Sequence, residues 1–306
     1  MRLGSRGSAL ALWQAGRVKE AFSRAAPGVP VEIVVISTSG DRNRGALWRA
    51  GGKGLFIKEL EEALLGGRVD LAVHSLKDVP SQLPEGLILA SCLRRGDPRD
   101  ALVSRKRMAL EKLPPGARVG TSSPRREAQL RRLRPDVRVV PLRGNVPTRV
   151  AKVREGALGA AVLALAGLRR LGLEKHAAQR FSASRMIPAV GQGIVVMECR
   201  KNDLRCVRLL RRLRHEDTWN EMQAERAFLA AMQGDCRSPL AALARLRGGR
   251  LRMRAMAASL DGRRMLRVSG EDSAAHPAVL GRRLARKLLA QGASALIAES
   301  REAMKS

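Results

Sequence analysis

Three segments of the chain set arginines beside residues that open helices. Thr121-Ser122-Ser123-Pro124-Arg125-Arg126 combines hydroxyls, a proline and two guanidinium groups. Arg143-Gly144-Asn145-Val146-Pro147-Thr148-Arg149 repeats the combination, and Ala166-Gly167 precedes Arg169-Arg170. The first turn of a helix has unpaired backbone N–H groups and the positive end of the dipole, so anions are favoured there. Guanidinium forks add charge and paired donors that match a carboxylate. Proline in a first turn costs little, because its missing N–H would have no partner. Helix caps with solvated arginines are the alternative reading. Three such junctions in one stretch favour a shared anion site.

Earlier in the chain, Arg6 and Ser8 mark a strand-to-helix turn, and Lys53 lies in the loop Gly51-Gly52-Lys53-Gly54 before a helix. That loop lacks P-loop spacing and has no Ser or Thr after the lysine, so nucleotide triphosphates are not its ligand. Asp78 is an acid in a region otherwise suited to anions, at the end of a strand in His74-Ser75-Leu76-Lys77-Asp78-Val79-Pro80. It is either a catalytic group or a cap that pairs with Lys77. Of the four cysteines, Cys92 and Cys199 sit in apolar strands and read as core, and Cys206 lies on a basic helix with no evident task. Cys236 differs, in a loop bounded by Gly234 and Pro239. A loop thiol becomes nucleophilic where positive charge lowers its pKa; Arg237 favours that and Asp235 opposes it. With no CxxC pair, the cysteines read as free thiols of a reducing compartment.

The elements that must position these groups alternate strand and helix. An amphipathic stretch runs from Ala9 to Ala25, a β-branched run at 31–36 reads as a buried strand, and a helix from Leu55 to Leu65 stops at Gly66-Gly67. Asp70 to His74 is a strand. A second unit has strands at 118–120, 137–141 and 160–165, with helices at 124–133 and 146–154. After Pro188-Ala189-Val190-Gly191-Gln192-Gly193, the run from Ile194 to Cys199 reads as a strand returning to the first unit. Helices at 203–213 and 218–232 lead to strands at 240–246, 251–258 and 265–268 and a last helix at 278–290. The pattern is α/β.

Composition limits the function further. A formal charge of +30 suggests nucleic acid, an anionic surface or a polyanionic substrate. Four Phe, three Trp and no Tyr leave too few stacking platforms for single-stranded nucleic acid. No apolar run approaches bilayer length, and the N-terminal stretch lacks the signal-peptide pattern, so a cytoplasmic protein is expected.

Together these segments resemble the hydroxymethylbilane synthase (porphobilinogen deaminase) family. The resemblance is carried by RGSALALWQ from Arg6, GGKGLFIKELEEALL from Gly51, DLAVHSLKDVP from Asp70, GTSSPRR from Gly120, LRGNVPTR from Leu142, LAGLRRLGL from Leu165, PAVGQG from Pro188 and the loop at Cys236. It implies an α/β protein of three domains. The first two are like those of type 2 periplasmic binding proteins, doubly wound with two crossings and an active cleft between them, and the third is a small α+β domain. The expected boundaries are 1–94 with 194–213, 99–189, and 215–306.

The family joins four porphobilinogen units head to tail with release of ammonia, then frees linear hydroxymethylbilane by hydrolysis, in tetrapyrrole and haem biosynthesis. It builds on a dipyrromethane cofactor held by a cysteine thioether, which by motif position is Cys236. The resemblance implies that Asp78 is catalytic and that Arg125, Arg126, Arg149, Lys77 and Ser123 hold the cofactor. Arg6, Ser8, Arg143, Arg170, Phe56, Lys53 and Gln192 would hold substrate, with Phe56 against a pyrrole ring. No metal, nucleic acid or membrane partner is expected, and a monomer is. Asp235 stands where the family more usually has glycine, and Pro124 and Pro147 fall at helix starts.

Overall fold

The computed structural model describes residues 1–39, 57–235 and 238–303, so Lys53, Phe56 and Cys236 lie outside the described residues. The chain forms two compact units, residues 1–95 with 194–219 and residues 96–193 with 220–306.

Unit 1 contains β1 (Arg2–Ser5), α1 (Ala9–Ala25), β2 (Glu32–Val35), α2 (Lys58–Leu65), β3 (Leu71–Ser75) and β4 (Leu87–Cys92). The chain re-enters it as β10 (Val195–Arg200) and α6 (Leu204–Arg211), followed by the start of α7 (Glu216–Ala231). The sheet order is β2-β1-β3-β10-β4, with β1 parallel to β2 and β3, and β10 antiparallel to both its neighbours. Alternation along each strand separates two faces. Leu71, Val73, Val195 and Met197 pack with Ala15, Val18 and Phe22 of α1. Ala72 packs with Leu60, Ala63 and Leu64 of α2.

Unit 2 holds β5 (Asp100–Ser104), β6 (Arg118–Gly120), α3 (Pro124–Leu133), β7 (Arg138–Val140), α4 (Val146–Arg154), β8 (Ala160–Ala164), α5 (Leu165–Arg170) and β9 (Ala177–Arg180). Its order, β7-β6-β8-β5-β9, repeats the plan of unit 1: three parallel strands, then an antiparallel strand inserted before the last. A separate antiparallel sheet follows, β11 (Leu240–Arg247), β12 (Arg250–Ala258) and β13 (Met265–Ser273). Phe228 of α7 packs against one of its faces, with Leu284 and Leu288 of α8 (Pro277–Ala290) and Ile297 of α9 (Ala293–Ala303). The α/β class with a small C-terminal sheet domain is as expected.

Several details differ from the sequence reading. The run at 31–36 is an edge strand, not a buried one, and Val35 is 57% exposed. β-Branched residues suit any half-buried pleated surface, so the run did not reveal which position in the sheet it takes. α6 is eight residues long, shorter than expected. β13 extends to Ser273 because β12 pairs with it along its whole length, and α9 follows the helix expected to be last.

Two glycines join the crossing segments inside unit 2. Gly96 N–H donates to the Gly193 carbonyl at 3.0 Å. Gly193 has φ +90°, and a Cβ there would sit 2.7 Å from the Gly96 oxygen. Both the dihedral and the contact demand glycine. Gly193→Ala is expected to lower unfolding free energy by at least about 2 kcal/mol in urea titration. An unchanged midpoint would contradict this reading of the junction.

Candidate active site

In unit 1 the parallel neighbours β1 and β3 end on the same edge of the sheet, where open α/β sheets carry their ligands. From β1 the chain turns through Arg6 into α1, whose N-cap is Ser8; the Ser8 Oγ accepts from Ala11 N–H at 3.3 Å. From β3 it enters a short 3-10 turn, Leu76–Asp78. That turn is held at its root. Gln14 Nε2 donates to Ser75 Oγ at 2.7 Å, and Leu76 N–H donates to the Ile194 carbonyl at 3.0 Å. Lys77 is half-buried and Asp78 is exposed. No hydrogen bond or ion pair engages the Asp78 carboxylate among the described residues, so it is not spent on Lys77.

In unit 2 the parallel strands β6, β7 and β8 likewise end on one edge, and the three arginine-bearing junctions lie there. Ser123 caps α3, accepting from Arg126 N–H at 3.5 Å, and Asn145 caps α4, accepting from Thr148 N–H at 2.9 Å. Pro124 and Pro147 occupy the first turns, as expected. Ser122 Oγ joins the first two junctions by bonding both the N–H and the carbonyl of Leu142 at 3.0 Å. Gly144 has φ +108°, and a Cβ there would meet Thr148 at 2.8 Å, so glycine is required. Its carbonyl accepts from Arg149 Nε at 2.7 Å, and Arg143 is exposed beside it. Arg170 Nη2 donates to the Gly193 carbonyl at 2.6 Å. Burial lowers the Arg170 guanidinium to about 10, which leaves it cationic at neutral pH.

Arg125 and Arg126 have an internal anion. Asp100, the first residue of β5, is wholly buried. Arg125 donates Nη1 to its Oδ2 at 2.7 Å and Nη2 to its Oδ1 at 3.3 Å, and also reaches the Ile187 carbonyl. Arg126 donates Nε to Oδ1 at 2.9 Å and Nη1 to the Val162 carbonyl at 3.0 Å. Gln192 Nε2 adds bonds to Oδ1 at 3.0 Å and to the Pro98 carbonyl at 2.6 Å. Burial alone would raise the Asp100 carboxyl, but the two arginines outweigh it and hold the group well below the carboxylate range. The sequence reading missed Asp100. Its signal was slight: an acid opening the apolar run Ala101-Leu102-Val103.

Glu225 was missed too. It is fully buried on α7, and its carboxylate accepts from Gly191 N–H at 2.6 Å and Ala244 N–H at 2.8 Å, tying the Gln192 loop to β11. Before Cys236, Asp235 closes a local turn, donating its N–H to Ser238 Oγ at 3.2 Å while its Oδ1 accepts from that hydroxyl at 3.1 Å. Cys92, Cys199 and Cys206 are buried free thiols. Cys206 is therefore core and not incidental; its bond to Cys199 and its burial push its thiol pKa up. Among the described residues no His, Cys, Asp or Glu cluster is placed to hold a metal ion. No described helix is long and apolar enough to cross a membrane.

Comparison with known proteins finds one family along the chain. Residues 1–208 match the family profile described as porphobilinogen deaminase, dipyromethane cofactor binding domain, and residues 219–290 match the porphobilinogen deaminase C-terminal domain. Porphobilinogen deaminase of Syntrophomonas wolfei is 47% identical over 303 residues, covering 99% of each chain. That of Roseiflexus castenholzii is 50% identical over 302 residues, covering 97% of this chain and 98% of its own. That of Moorella thermoacetica is 48% identical over 300 residues, covering 98% and 96%.

Replacing Asp100 by Asn would leave two buried guanidinium groups uncompensated, at a cost of about 3–5 kcal/mol in urea unfolding at neutral pH. The sign with pH follows from the depressed carboxyl. Its contribution is complete above its ordinary value of 3.8 and is lost as pH falls through the lower folded value. The gap between wild type and Asp100→Asn should therefore narrow in acid. A variant as stable as wild type at neutral pH would refute the pairing.

Proposed function

The chain belongs to the porphobilinogen deaminase family, and on that premise we propose that it is a transferase, a hydroxymethylbilane synthase. It condenses four porphobilinogen molecules head to tail, releases ammonia at each step, and frees the linear tetrapyrrole by hydrolysis. The observation that carries the assignment of chemistry is Asp78, an exposed carboxylate with no partner among the described residues, on the sheet edge that also presents Arg6 and Lys77.

Each porphobilinogen brings two carboxylates, so the growing chain is a polyanion that planar guanidinium forks can hold and orient. The edge of unit 2 fits such a group: helix starts and arginines converge there, and the three junctions are bonded to one another or to nearby backbone. Arg143, Arg149 and Arg170 are the carboxylate ligands best placed to serve. Arg125 and Arg126 contribute by fixing the start of α3 and by the net positive charge that remains beside Asp100. Ser123 and Ser8 act as caps that aim helix N-termini, and Gln192 acts through Asp100. Lys53 and Phe56 complete the substrate set by position in their motif, and Cys236 carries the thioether. The dipyrromethane, when bound, supplies the pyrrole on which the product chain is extended.

Asp78 meets the opposite need. Loss of ammonia from protonated porphobilinogen leaves a cationic methylene-pyrrole, which a field of arginines disfavours. Unit charges 4 Å apart interact by about 4 kcal/mol at an effective dielectric of about 20. A carboxylate at that distance offsets the penalty, accepts from pyrrole N–H groups and can take up the proton lost when the new bond forms. Domain boundaries at 1–94 with 194–213, 99–189 and 215–306, a monomeric state and a cytoplasmic setting complete the proposal.

The test is the intact mass of the purified protein together with ammonia release from porphobilinogen. The wild type should carry added mass from a covalent dipyrromethane, and Cys236→Ser should not. Asp78→Asn should keep that mass yet turn over at least about a hundredfold more slowly. An unmodified wild-type chain that releases no ammonia would refute the enzyme assignment, and normal turnover in Asp78→Asn would remove Asp78 from its role.

A further inference from the structure

The face of the unit 1 sheet beneath α2 is apolar around Ala72 and Leu87 but holds one buried acid–imidazole pair. His74 of β3 and Glu198 of β10 lie with Nε2 2.9 Å from Oε2, an ion-pair contact between atoms that are not aligned as a hydrogen bond, and their side chains are 3% and 0% exposed. The register sets Val196 opposite His74 and Glu198 opposite Ala72, so the two side chains are diagonal neighbours on one face. Glu61 of α2 faces the same place. Its Oε1 is buried with no hydrogen-bond partner, and burial followed by the Glu198 charge raises it to about 7, against the influence of His74.

Among the described residues, the other charged groups on the elements packed there are engaged elsewhere. Glu59 accepts from Ser39 N–H, Lys58 pairs with Glu62 at the surface, and Arg200 donates to the Leu64 and Val69 carbonyls. A buried pair of this kind adds little stability over an apolar pair of equal volume, because desolvation consumes the attraction. The β3–β10 ladder sets the register of the two strands, and the pair adds a close contact between their side chains near the end of β3. β3 ends one residue after His74, and the turn bearing Lys77 and Asp78 begins there.

We propose that His74 and Glu198 are positioning residues for Asp78: their buried pair fixes the end of β3 on β10, so that the Lys77–Asp78 turn leaves the sheet at one point. The proposal rests on the reading of Asp78 as the catalytic acid. Glu61 makes the arrangement sensitive to pH, since its ionisation places a second carboxylate charge beside the pair. The sign is set by a folded value above the ordinary 4.5: the folded state keeps this proton longer, so stability declines as pH rises from 4.5 towards about 7.

The experiment compares Glu198→Gln, His74→Gln, Glu61→Gln and Asp78→Asn in the full chain by intact mass, kcat, KM for porphobilinogen and the pH dependence of kcat. Glu198→Gln and His74→Gln should retain the cofactor mass and a KM within about twofold, while kcat falls by about ten- to a hundredfold, as for a misplaced reacting group. The double variant should be no slower than the slower single one, because both changes break one pair. Glu61→Gln should flatten the pH dependence of kcat around neutrality without changing KM, which a mere space-filling role would not do.

Slow Asp78→Asn with wild-type kcat in both Glu198→Gln and His74→Gln would overturn the positioning role alone. Normal turnover in Asp78→Asn would overturn the assignment beneath it. If both pair variants fail to fold, an unchanged kcat profile in Glu61→Gln overturns the proposal and a flattened one supports it.

Discussion

A single buried carboxylate organises the basic half of this protein. Asp100 brings two guanidinium groups of α3 and the amide of Gln192 to one point at the start of β5. Three polar side chains in an apolar interior would be costly if unmatched, and two cations would repel one another. With Asp100 present each has a partner, and the bonds to Ile187 and Val162 extend the lock to the loop before Gln192 and to β8. The start of α3 is therefore placed by charge pairing within the core rather than by its cap alone.

This changes how the arginines divide their work. Arg125 and Arg126 are already neutralised in part by the protein, whereas Arg143 is exposed beside the Gly144 turn and Arg149 and Arg170 are tied to the Gly144 and Gly193 carbonyls. Some of the remaining positive charge is paired at the surface, where Arg250 and Arg252 share Glu271, Arg264 meets Glu299 and Arg131 meets Glu127, and the surplus is spread along the chain far from the junctions as well as at them. The large net charge is thus a poor guide to the site. Position at strand-to-helix junctions is a better one.

The parts of this arrangement that were legible in the sequence are local. The segments at Ser8, Ser123 and Asn145 read as helix starts because the groups these side chains satisfy lie three residues away, and α1, α3 and α4 have the bounds expected from the sequence. The strands β4, β5 and β9 were not legible, because each is defined by partners far along the chain. Asp100 and Glu225 were missed for the same reason: Arg125 is 25 residues from Asp100, and Gln192 is 92. The motif containing Arg125 and Arg126 pointed to an anion, and an anion is bound there. Sequence alone could not show that the first one is Asp100.

The same logic accounts for the contrast between the two units. On the proposed function, a site that accumulates carboxylates needs cations whose positions do not drift as charge is added, and guanidinium groups tied to core acceptors would meet that need at little further entropic cost. On the same proposal, a site that stabilises a transient cation needs a carboxylate free of competing partners, since a paired Asp78 would be screened by its neighbour when the charge develops. Its freedom can be tolerated only if the backbone carrying it is rigid. In unit 1 the rigidity comes from beneath the turn, through Gln14 on Ser75, the Leu76 bond to Ile194 and the His74–Glu198 pair. Charge is satisfied internally at Asp100 and, among the described residues, left unpaired at Asp78, where the proposed chemistry would use it.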